Sequence, residues 1–176
     1  ADRLAMLDHL TRGRVMLGLG PGALATDAAM LGIHPSEQRD ALEEDTAVLM
    51  HLLTSDDPIS IETKRYKLVN ARIQLDFYQD PHPEVLAAAI VSPSGPRLAG
   101  QHGIGLISIG ATMKAGVDVL AMHWDVAEAR AKECNKTVDR DKWRLVGLMH
   151  LAETRDQALK DVAFGLRVFC DYLQHT

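Results

Sequence analysis

The sequence predicts an α/β protein built on a parallel β-sheet. Four apolar runs have the length of buried strands, and each is followed by residues with helical periodicity. Apolar strands that alternate with helices are typical of a parallel sheet, because each crossover between parallel strands lays a helix on the sheet. The predicted strands are residues 15–19, 85–91, 104–109 and 144–151.

The helices between the first three strands are predicted from apolar spacing and capping residues. Residues 23–31 form a short helix, and residues 36–53 form a longer one whose leucine stripe is interrupted by Asp45. Ser94 is expected to cap a further helix that ends at Gly103, since glycine is the common residue just beyond a helix end.

The C-terminal part of the chain continues the same alternation. A longer helix opens at Gly116 or Asp118. Thr154 and Gln157 have the spacing of a capping box, in which two side chains satisfy the first backbone amides of a helix. They predict a last helix over residues 156–173.

One segment breaks this alternation. Residues 59–78 alternate apolar and polar positions with period two and carry no helical stripe. Turn residues bound the segment on both sides, at Asp57-Pro58 and at Pro81-His82-Pro83. We therefore predict a β-hairpin inserted between the strand and helix units, over about residues 55–82. The apolar positions of the pattern are Ile59, Ile61, Ile73, Leu75 and Phe77.

The composition is that of an ordinary globular domain. The 176 residues are 47% hydrophobic and 24% charged, which fits one domain with a substantial core. No apolar run approaches the roughly 20 residues that a membrane-spanning helix needs, so no membrane association is expected. The net charge is -5 and basic residues are scattered among acids, which argues against nucleic acid as a partner.

The positions of the cysteines and histidines argue against disulfide bonds and metal sites. Cys134 and Cys170 lie outside any Cys-x-x-Cys pair, which predicts free thiols and a reducing, cytoplasmic setting. The eight histidines have no second ligand at a familiar metal-binding spacing, so no metal site is predicted. The chain begins with Ala1 and has no signal-peptide core, so we expect an internal piece of a longer protein.

The segment after the first predicted strand carries a glycine pattern with two interpretations. Gly18, Gly20 and Ala23 satisfy the G-x-G-x-x-G/A pattern of a dinucleotide-binding Rossmann unit. A Rossmann unit also needs a second strand soon afterwards, with an acid about 20 residues beyond the glycines, whereas residues 36–53 are predicted to be helical. Pro21 also removes an amide that would face a phosphate. The pattern favours the end of a barrel strand, with the Rossmann unit as the weaker alternative.

The turn after the second predicted strand is a candidate seat for a single phosphate group. Ser92, Ser94 and Gly95 follow a buried strand and lead into a helix. Unpaired amides at a helix N-terminus, the helix dipole and two hydroxyls all favour an anion, and glycine allows its close approach. An ordinary serine cap with proline in the first turn explains the same residues equally well.

Four segments, in this order, carry a resemblance to a known family. They are "LDHLTRGRVMLGLGPGA", "QRDALEED", "AAIVSPSGPRLAGQHGIGLISIGAT" and "DKWRLVGLMHLAETRDQA". Together they span nearly the whole chain and resemble the bacterial luciferase-like, flavin-dependent monooxygenases, in particular the limonene-monooxygenase-like branch. The resemblance implies a TIM-type (β/α)8 barrel in which cofactor-binding loops follow the C-terminal ends of the strands.

The resemblance also implies a cofactor and the residues that hold it. The cofactor would be FMN in its reduced form, with the deazaflavin F420 less expected. Its phosphate would lie beside the serine-bearing turn, and in some relatives an arginine that contacts the phosphate stands at the position of Pro21. No catalytic residue is assigned. The expected cofactor-binding residues are Gly20, Pro21, Gly22, Ser92, Ser94, Gly95 and Ser108.

A complete barrel has eight strand and helix units and about 250 residues, whereas this chain shows four predicted strands. By the resemblance, they correspond to the fourth through seventh strands, and the family's early strands, which carry an active-site histidine, have no counterpart. We expect residues 1–176 to form one partial barrel domain, covered by a missing segment, a partner chain or self-association.

The implied activity is oxidation of a small organic substrate by reduced flavin and O2, with a flavin reductase and a second copy of the chain as candidate partners. A non-catalytic flavin-binding protein, or a barrel-derived structural protein, is the alternative.

Overall fold

The computed structural model describes residues 1–22 and 24–175. Ala23, the last position of the glycine pattern, therefore lies outside the described residues. The elements in chain order are α1 (Asp2–Thr11), β1 (Met16–Leu19), α2 (Ala25–Met30), α3 (Gln38–Thr54), β2 (Ile59–Glu62), β3 (Lys67–Ala71), β4 (Glu84–Ala89), α4 (Ser94–His102), β5 (Gly105–Ile109), α5 (Lys114–Val117), α6 (Leu120–Glu133), β6 (Trp143–Val146) and α7 (Arg155–His175).

The four predicted core strands form one parallel sheet in the order β1-β4-β5-β6. With the hairpin β2–β3 set aside, neighbours in the sheet are also neighbours along the chain. A doubly wound Rossmann sheet reverses its strand order beside the first strand, and no reversal occurs among the described strands. The Rossmann alternative is therefore wrong, and the predicted α/β class with a parallel sheet is confirmed.

The strand boundaries differ from the prediction mainly at the last strand. β6 ends at Val146, which pairs with Ile109, the last residue of β5. The expected extension to residue 151 is wrong, because β5 offers no further partner there. Leu148 and Leu151 instead lie outside the sheet with 64% and 83% of their surface exposed. Their apolar side chains caused the over-extension, since an apolar run carries no information on where pairing stops.

The inserted hairpin is confirmed, but its second strand is shorter than the alternation suggested. β2 and β3 pair antiparallel between Ile59 and Ala71. Ile73 and Phe77 belong to no strand and pack against the hydrophobic core instead. Period-two spacing in this segment therefore reflects an extended chain that covers the core.

The hairpin turn is tied to α3 by charge. Arg65 binds Asp45 through two nitrogens, each 2.7 Å from a carboxylate oxygen, and it also contacts Glu44 at 2.9 Å. Tyr66 donates to Asp45 at 2.8 Å, and desolvation, followed by this hydrogen bond, raises the pKa of Tyr66 to about 12. The acid that interrupts the leucine stripe of α3 is thus the hairpin's anchor.

The core lies between the sheet and the helices. Val85, Ala87 and Ala89 alternate along β4 on the face that meets Leu98 and Ala99 of α4. α4 also packs on α6 and α3, so these helices share one face of the sheet. Of the helices described, none is both long enough and apolar enough to cross a membrane.

Two glycines let α4 lie unusually close to its neighbours. A Cβ on Gly95 would collide with the carbonyl group of Ala88 in β4, whose carbon would be only 2.9 Å away. A Cβ on Gly100 would collide with the Ala127 carbonyl oxygen of α6 and lie 2.9 Å from the Ala131 nitrogen. Backbone atoms cannot move aside as side-chain tips can, so both positions require glycine.

A buried carboxylate fastens α1 to the chain that enters β4. Asp8 is fully buried, and it accepts hydrogen bonds from the Gln79 amide (2.9 Å) and side chain (2.7 Å). Burial alone would raise the pKa of Asp8, but these hydrogen bonds outweigh burial and hold the pKa below its ordinary value of 3.8.

We predict that Gly100→Ala lowers the free energy of unfolding by about 1–3 kcal/mol, since the added methyl group would force α4 and α6 apart. Gly165→Ala in α7 is the matched control. No atom lies within 4 Å of its added Cβ, and alanine favours a helix, so we expect a gain of about 0.5–1 kcal/mol. Urea titration measures both, and equal effects of the two variants would contradict the close-packing argument.

We predict that Asp8→Asn destabilises the protein at about pH 7 and that the difference from wild type shrinks in acid. Because the folded-state pKa of Asp8 is lowered, its contribution is complete above the unfolded-state pKa and is lost as pH falls through the folded-state pKa. Urea midpoints between about pH 7 and pH 3 give the test. The exposed Asp125→Asn is the control, and a pH-independent loss in D8N would refute the ionic contribution.

Candidate functional site

The candidate cofactor residues follow the C-terminal ends of neighbouring strands. β1 is followed by residues 20–22 and β4 by residues 91–95, which we call the serine turn. Because β1 and β4 are parallel and adjacent, both segments emerge at the same edge of the sheet. This is the edge at which open and closed α/β sheets place their ligand sites.

The serine turn is organised by Ser92. Its Oγ accepts a hydrogen bond from the Ser94 amide at 3.2 Å and lies 3.0 Å from the Ser94 hydroxyl. Ser94 is the first residue of α4, and Pro93 precedes the helix without a side-chain cap. The expectation that Ser94 caps the helix is therefore wrong, because the hydroxyl that accepts the first helical amide belongs to Ser92.

One amide at the start of α4 remains unpaired. The Ser94 amide is bonded to Ser92, Pro96 has no N–H, and the Arg97 amide donates to the Pro93 carbonyl at 3.0 Å. Within residues 1–22 and 24–175, the Gly95 amide has no acceptor. A free N–H group at the positive end of a helix is the feature that binds a phosphate.

Gly95 contributes to the turn differently from the prediction. The sequence suggested that a missing side chain gives a phosphate room to approach. The structure buries Gly95 against Ala88 and Ala89 of β4, so its missing side chain serves helix packing. Its backbone amide is the part that is available to a ligand.

Arg97 was not singled out in the sequence, and it lies two residues beyond the serine turn along the chain. It stands exposed on the first turn of α4, a turn with no acidic residue. Among the described residues its guanidinium has no hydrogen-bond or ion-pair partner. A cation near a helix N-terminus is unfavourable to the helix dipole unless an anion lies between them. The sequence signal that could have identified Arg97 is a basic residue in the first turn of a helix that has no acidic residue there.

Small residues make a shallow surface on the sheet face opposite the helices, which we call the glycine shelf. It consists of Gly18, Gly20 and Ala88 beside Ile107. A Cβ on Gly20 would lie 3.5 Å from the Ala88 Cβ, and one on Gly18 would lie 3.7 Å from Ile107 Cδ1. At Gly18, Gly20 and Ala88 the shelf carries no side chain larger than a methyl group.

The rest of the predicted glycine loop borders the shelf. Pro21 is half-buried and Gly22 is exposed. Gly22 adopts φ +86, a conformation that other residues rarely tolerate, and a Cβ there would lie 3.0 Å from Gln38 Nε2 at the start of α3. The structure thus brings residues 20–22 together with the glycine shelf.

Ser108 lies apart from the other candidate residues. Along β5 it alternates with Ile107, so its side chain faces the helices, and only 1% of its surface is exposed. Its hydroxyl accepts from Trp143 Nε1 at 2.9 Å and lies 3.0 Å from His123 Nδ1. Ser108 was expected to bind the cofactor, but strand alternation places its side chain on the helix side of the sheet, away from the other candidate residues.

His123 is the buried titratable residue that the sequence argument missed. It lies on α6 and is fully buried. Burial lowers the pKa of His123, with a smaller opposing effect from the Val91 backbone, so the ring is neutral at neutral pH. The sequence signal that could have identified this residue is a histidine at an apolar position of the α6 helical pattern.

Comparisons with known proteins converge on one family. A family model described as luciferase-like monooxygenase matches residues 1–174. Limonene 1,2-monooxygenase of Rhodococcus erythropolis is 45% identical over 175 residues, which cover 99% of this chain and 44% of that protein. The chain therefore spans less than half of this relative's length.

Solved structures share the fold at lower identity. The FMN-bound oxygenating constituent of 3,6-diketocamphane monooxygenase from Pseudomonas putida superposes with a TM-score of 0.69 at 24% identity. An F420-dependent secondary alcohol dehydrogenase superposes with a TM-score of 0.67 at 21% identity. The matches cover 95% and 93% of this chain and 48% of each structure.

We predict that Ser108→Ala lowers the free energy of unfolding by about 1–3 kcal/mol, because it leaves the partly buried Trp143 Nε1 and the buried His123 Nδ1 without partners. Thr112→Ala removes an exposed hydroxyl that donates to the Leu148 carbonyl, and we expect a change within about 0.5 kcal/mol. Urea unfolding followed by tryptophan fluorescence measures both variants. An S108A protein as stable as T112A would show that the buried hydroxyl is dispensable.

Proposed function

The chain belongs to the luciferase-like monooxygenase family, and from that premise we propose that it forms part of a flavin-dependent monooxygenase. The reaction would use reduced flavin and O2 to oxidise a small organic substrate. The observation that carries the proposal is the unpaired Gly95 amide, which stands at the same sheet edge as the glycine shelf. Together they offer one anion seat beside one flat surface, the two features that a flavin mononucleotide needs.

The residues present fit the phosphate of such a cofactor. The Gly95 amide and the α4 dipole supply a fixed positive end, and the Ser92 and Ser94 hydroxyls supply donors. Arg97 supplies a positive charge on a flexible side chain, and no acidic residue in the first turn of α4 compensates that charge. With Pro21 where some relatives have an arginine, we propose that Arg97 takes over the neutralisation of the phosphate.

The glycine shelf fits the ring of the same cofactor. Gly20 and Gly22 are exposed and carry no side chain, and Pro21 and Ile107 are partly buried apolar neighbours. Bound reduced flavin supplies the activation of O2, which amino-acid side chains do not provide. The chain's own residues would bind the phosphate and contact one face of the ring.

We propose further that the sheet is part of a TIM-type barrel. Both edge strands, β1 and β6, lack an outer partner among the described residues, and a singly wound sheet with helices on one face is a segment of such a barrel. The chain spans 44% of the relative from Rhodococcus, so the remaining strands would supply the catalytic residues. A second copy of the chain and a flavin reductase are the proposed protein partners.

FMN is the proposed cofactor, with F420 as the alternative that the comparisons keep open. A monophosphate seat matches FMN, whose chain ends in a single phosphate group.

We also place the protein in the cytoplasm, since Cys134 and Cys170 are both free thiols.

We predict that Ser92→Ala weakens FMN binding about tenfold or more and leaves riboflavin binding unchanged, because Ser92 organises the turn around the phosphate and riboflavin has none. Flavin fluorescence quenching gives both dissociation constants, with Ser60→Ala in the β2–β3 hairpin as the matched control. Equal affinity of the wild-type protein for FMN and riboflavin would refute the phosphate seat.

Turnover is tested separately from binding. Reduced flavin and O2 are added with and without a candidate terpene or ketone, and substrate-dependent oxygen consumption is recorded. Flavin binding without consumption would favour the alternative, a non-catalytic flavin-binding protein.

A further inference from the structure

We propose that His150 and Asp161 form a proton-accepting site for an apolar molecule with a weakly acidic hydroxyl group, such as a phenol. In this site Nδ1 of His150 takes the hydroxyl proton, and Asp161 is the positioning residue that orients the ring. The inference names a substrate class for the proposed function. It rests on that function only in taking the C-terminal edge of the sheet to be the ligand edge.

The loop after β6 holds His150 at that edge. Since β4, β5 and β6 are neighbouring parallel strands, this loop emerges at the same edge as the serine turn, about 10 Å away along the sheet. Two hydrogen bonds attach it to the loop after β5. The Ala111 amide donates to the Val146 carbonyl at 2.9 Å, and Thr112 Oγ1 donates to the Leu148 carbonyl at 3.2 Å. His150 therefore follows, two residues later, on a loop that is fixed to the sheet.

The contact with Asp161 determines which ring nitrogen of His150 carries hydrogen. Nε2 lies 3.1 Å from Asp161 Oδ2. The hydrogen bond from His150, and then that from Gln157, hold the pKa of Asp161 below its ordinary value of 3.8, so this group is an ionised carboxylate at neutral pH. A carboxylate can only accept, so Nε2 donates, and the neutral ring keeps a free lone pair on Nδ1. Among the described residues Nδ1 has no hydrogen-bond partner.

Asp161 is itself held in place on α7. Gln157 lies four residues earlier on the same helix face, and its Nε2 donates to Asp161 Oδ1 at 2.6 Å. The Gln157 amide in turn donates to Thr154 Oγ1 at 3.1 Å, where the helix begins. Each carboxylate oxygen thus has one donor, and no lysine or arginine among the described residues pairs with it. A histidine oriented by a fixed carboxylate is the arrangement with which enzymes accept protons, because the carboxylate stabilises the imidazolium that forms.

The residues around His150 in the loop indicate the class of molecule. Leu148, Met149 and Leu151 are 64%, 73% and 83% exposed, so the loop offers apolar surface on both sides of the histidine. A carboxylic acid is already ionised at neutral pH, and the charge of Asp161 would repel it. A phenolic hydroxyl is neutral at that pH, and it is acidic enough to give its proton to an imidazole when the two resulting charges are paired.

The proton transfer is balanced within this site. The O–H bond of the hydroxyl group breaks, its electron pair stays on the oxygen, and the hydrogen moves to His150 Nδ1. The ring then carries a hydrogen on each nitrogen, and Nε2–H remains bonded to Asp161. The ionised molecule is richer in electrons than the neutral one, so it is more readily oxidised, which is the chemistry of the proposed function.

Two substitutions separate proton transfer from a merely structural link between the loop and α7. His150→Gln keeps a nitrogen donor for the carboxylate and removes the proton acceptor. Asp161→Asn keeps the shape of the side chain and removes its charge. Both side chains are partly exposed, so the fold tolerates either change. The matched controls are Asp125→Asn, on the surface of α6, and His34→Gln, since His34 is exposed and contacts the Ser36 hydroxyl instead of a carboxylate.

The first measurement is nitrogen NMR of the histidine rings in the protein without ligand, at a mildly alkaline pH. The signals of His150 are identified by their absence in H150Q. We expect its hydrogen on Nε2 in wild type and D125N, and a larger fraction on Nδ1 in D161N, because the orienting charge is gone. A hydrogen mainly on Nδ1 in wild type, or an unchanged pattern in D161N, would overturn the proposal.

The second measurement compares the binding of 4-nitrophenol with that of 4-nitroanisole, which has the same ring and no acidic hydrogen. Wild type should bind 4-nitrophenol about tenfold more tightly and hold it as the phenolate, which its absorbance spectrum reports. H150Q and D161N should lose this preference, and H34Q and D125N should keep it. Equal affinity of wild type for the two compounds, or an unchanged preference in H150Q, would overturn the proposal.

FMN binding to the same samples distinguishes this proposal from the proposed function. If wild type binds no FMN while H150Q abolishes the preference for 4-nitrophenol, the proposed function fails and the proton-accepting site stands. If wild type binds FMN and shows no preference for 4-nitrophenol, the site fails and the proposed function stands. A loss of stability in H150Q with the preference intact would identify His150 as a structural link and overturn the proposal.

Discussion

The close approach of α4 to β4 is the constraint on which the rest of the site depends. A helix that packs on a sheet through ordinary side chains lies about 10 Å above it, and small residues at the contact bring it closer. Gly95 removes the side chain at the point where α4 starts, so the first turn of the helix rests on the Ala88 carbonyl. Gly100 does the same towards α6, one and a half turns later. These two close contacts, on different sides of α4, fix its distance from the sheet and its rotation about its own axis. They therefore also fix the position of the unpaired Gly95 amide at its N-terminus.

Trp143, Ser108 and His123 form one hydrogen-bonded network on the helix side of the sheet. Trp143 donates to Ser108, and the Ser108 hydroxyl lies 3.0 Å from Nδ1 of His123, which burial keeps neutral. A charged ring in the same place would need a counter-ion, and the surrounding helix and strand offer none among the described residues. The network therefore contributes hydrogen bonds and no net charge at neutral pH.

Sequence patterns predicted the parts of the fold that depend on local periodicity. Apolar runs located all four strands of the sheet, and Gly103, with φ +67, ends α4 as expected of a glycine beyond a helix. Sequence patterns failed where strand pairing depends on a partner distant along the chain. Residues 147–151 pair with no strand among the described residues, and residues 73–77 cover the core instead of extending β3. The candidate site shows the same difference between residues that local patterns identify and residues whose position depends on distant partners. Proximity along the chain identified Ser92, but the side of the sheet on which Ser108 lies depends on the register of β5 with its neighbours.

The face that carries the glycine shelf differs chemically between its two ends. At the N-terminal end of the strands Arg144 of β6 contacts Glu84 of β4 at 3.0 Å, and this ion pair crosses the strand between them, β5. Two long charged side chains occupy the face there, and displacing them would separate a partly buried pair. At the C-terminal end the same face presents Gly18, Gly20 and Ala88, which leave it open. The open part of this face therefore lies at the C-terminal end of the strands, where the serine turn follows β4.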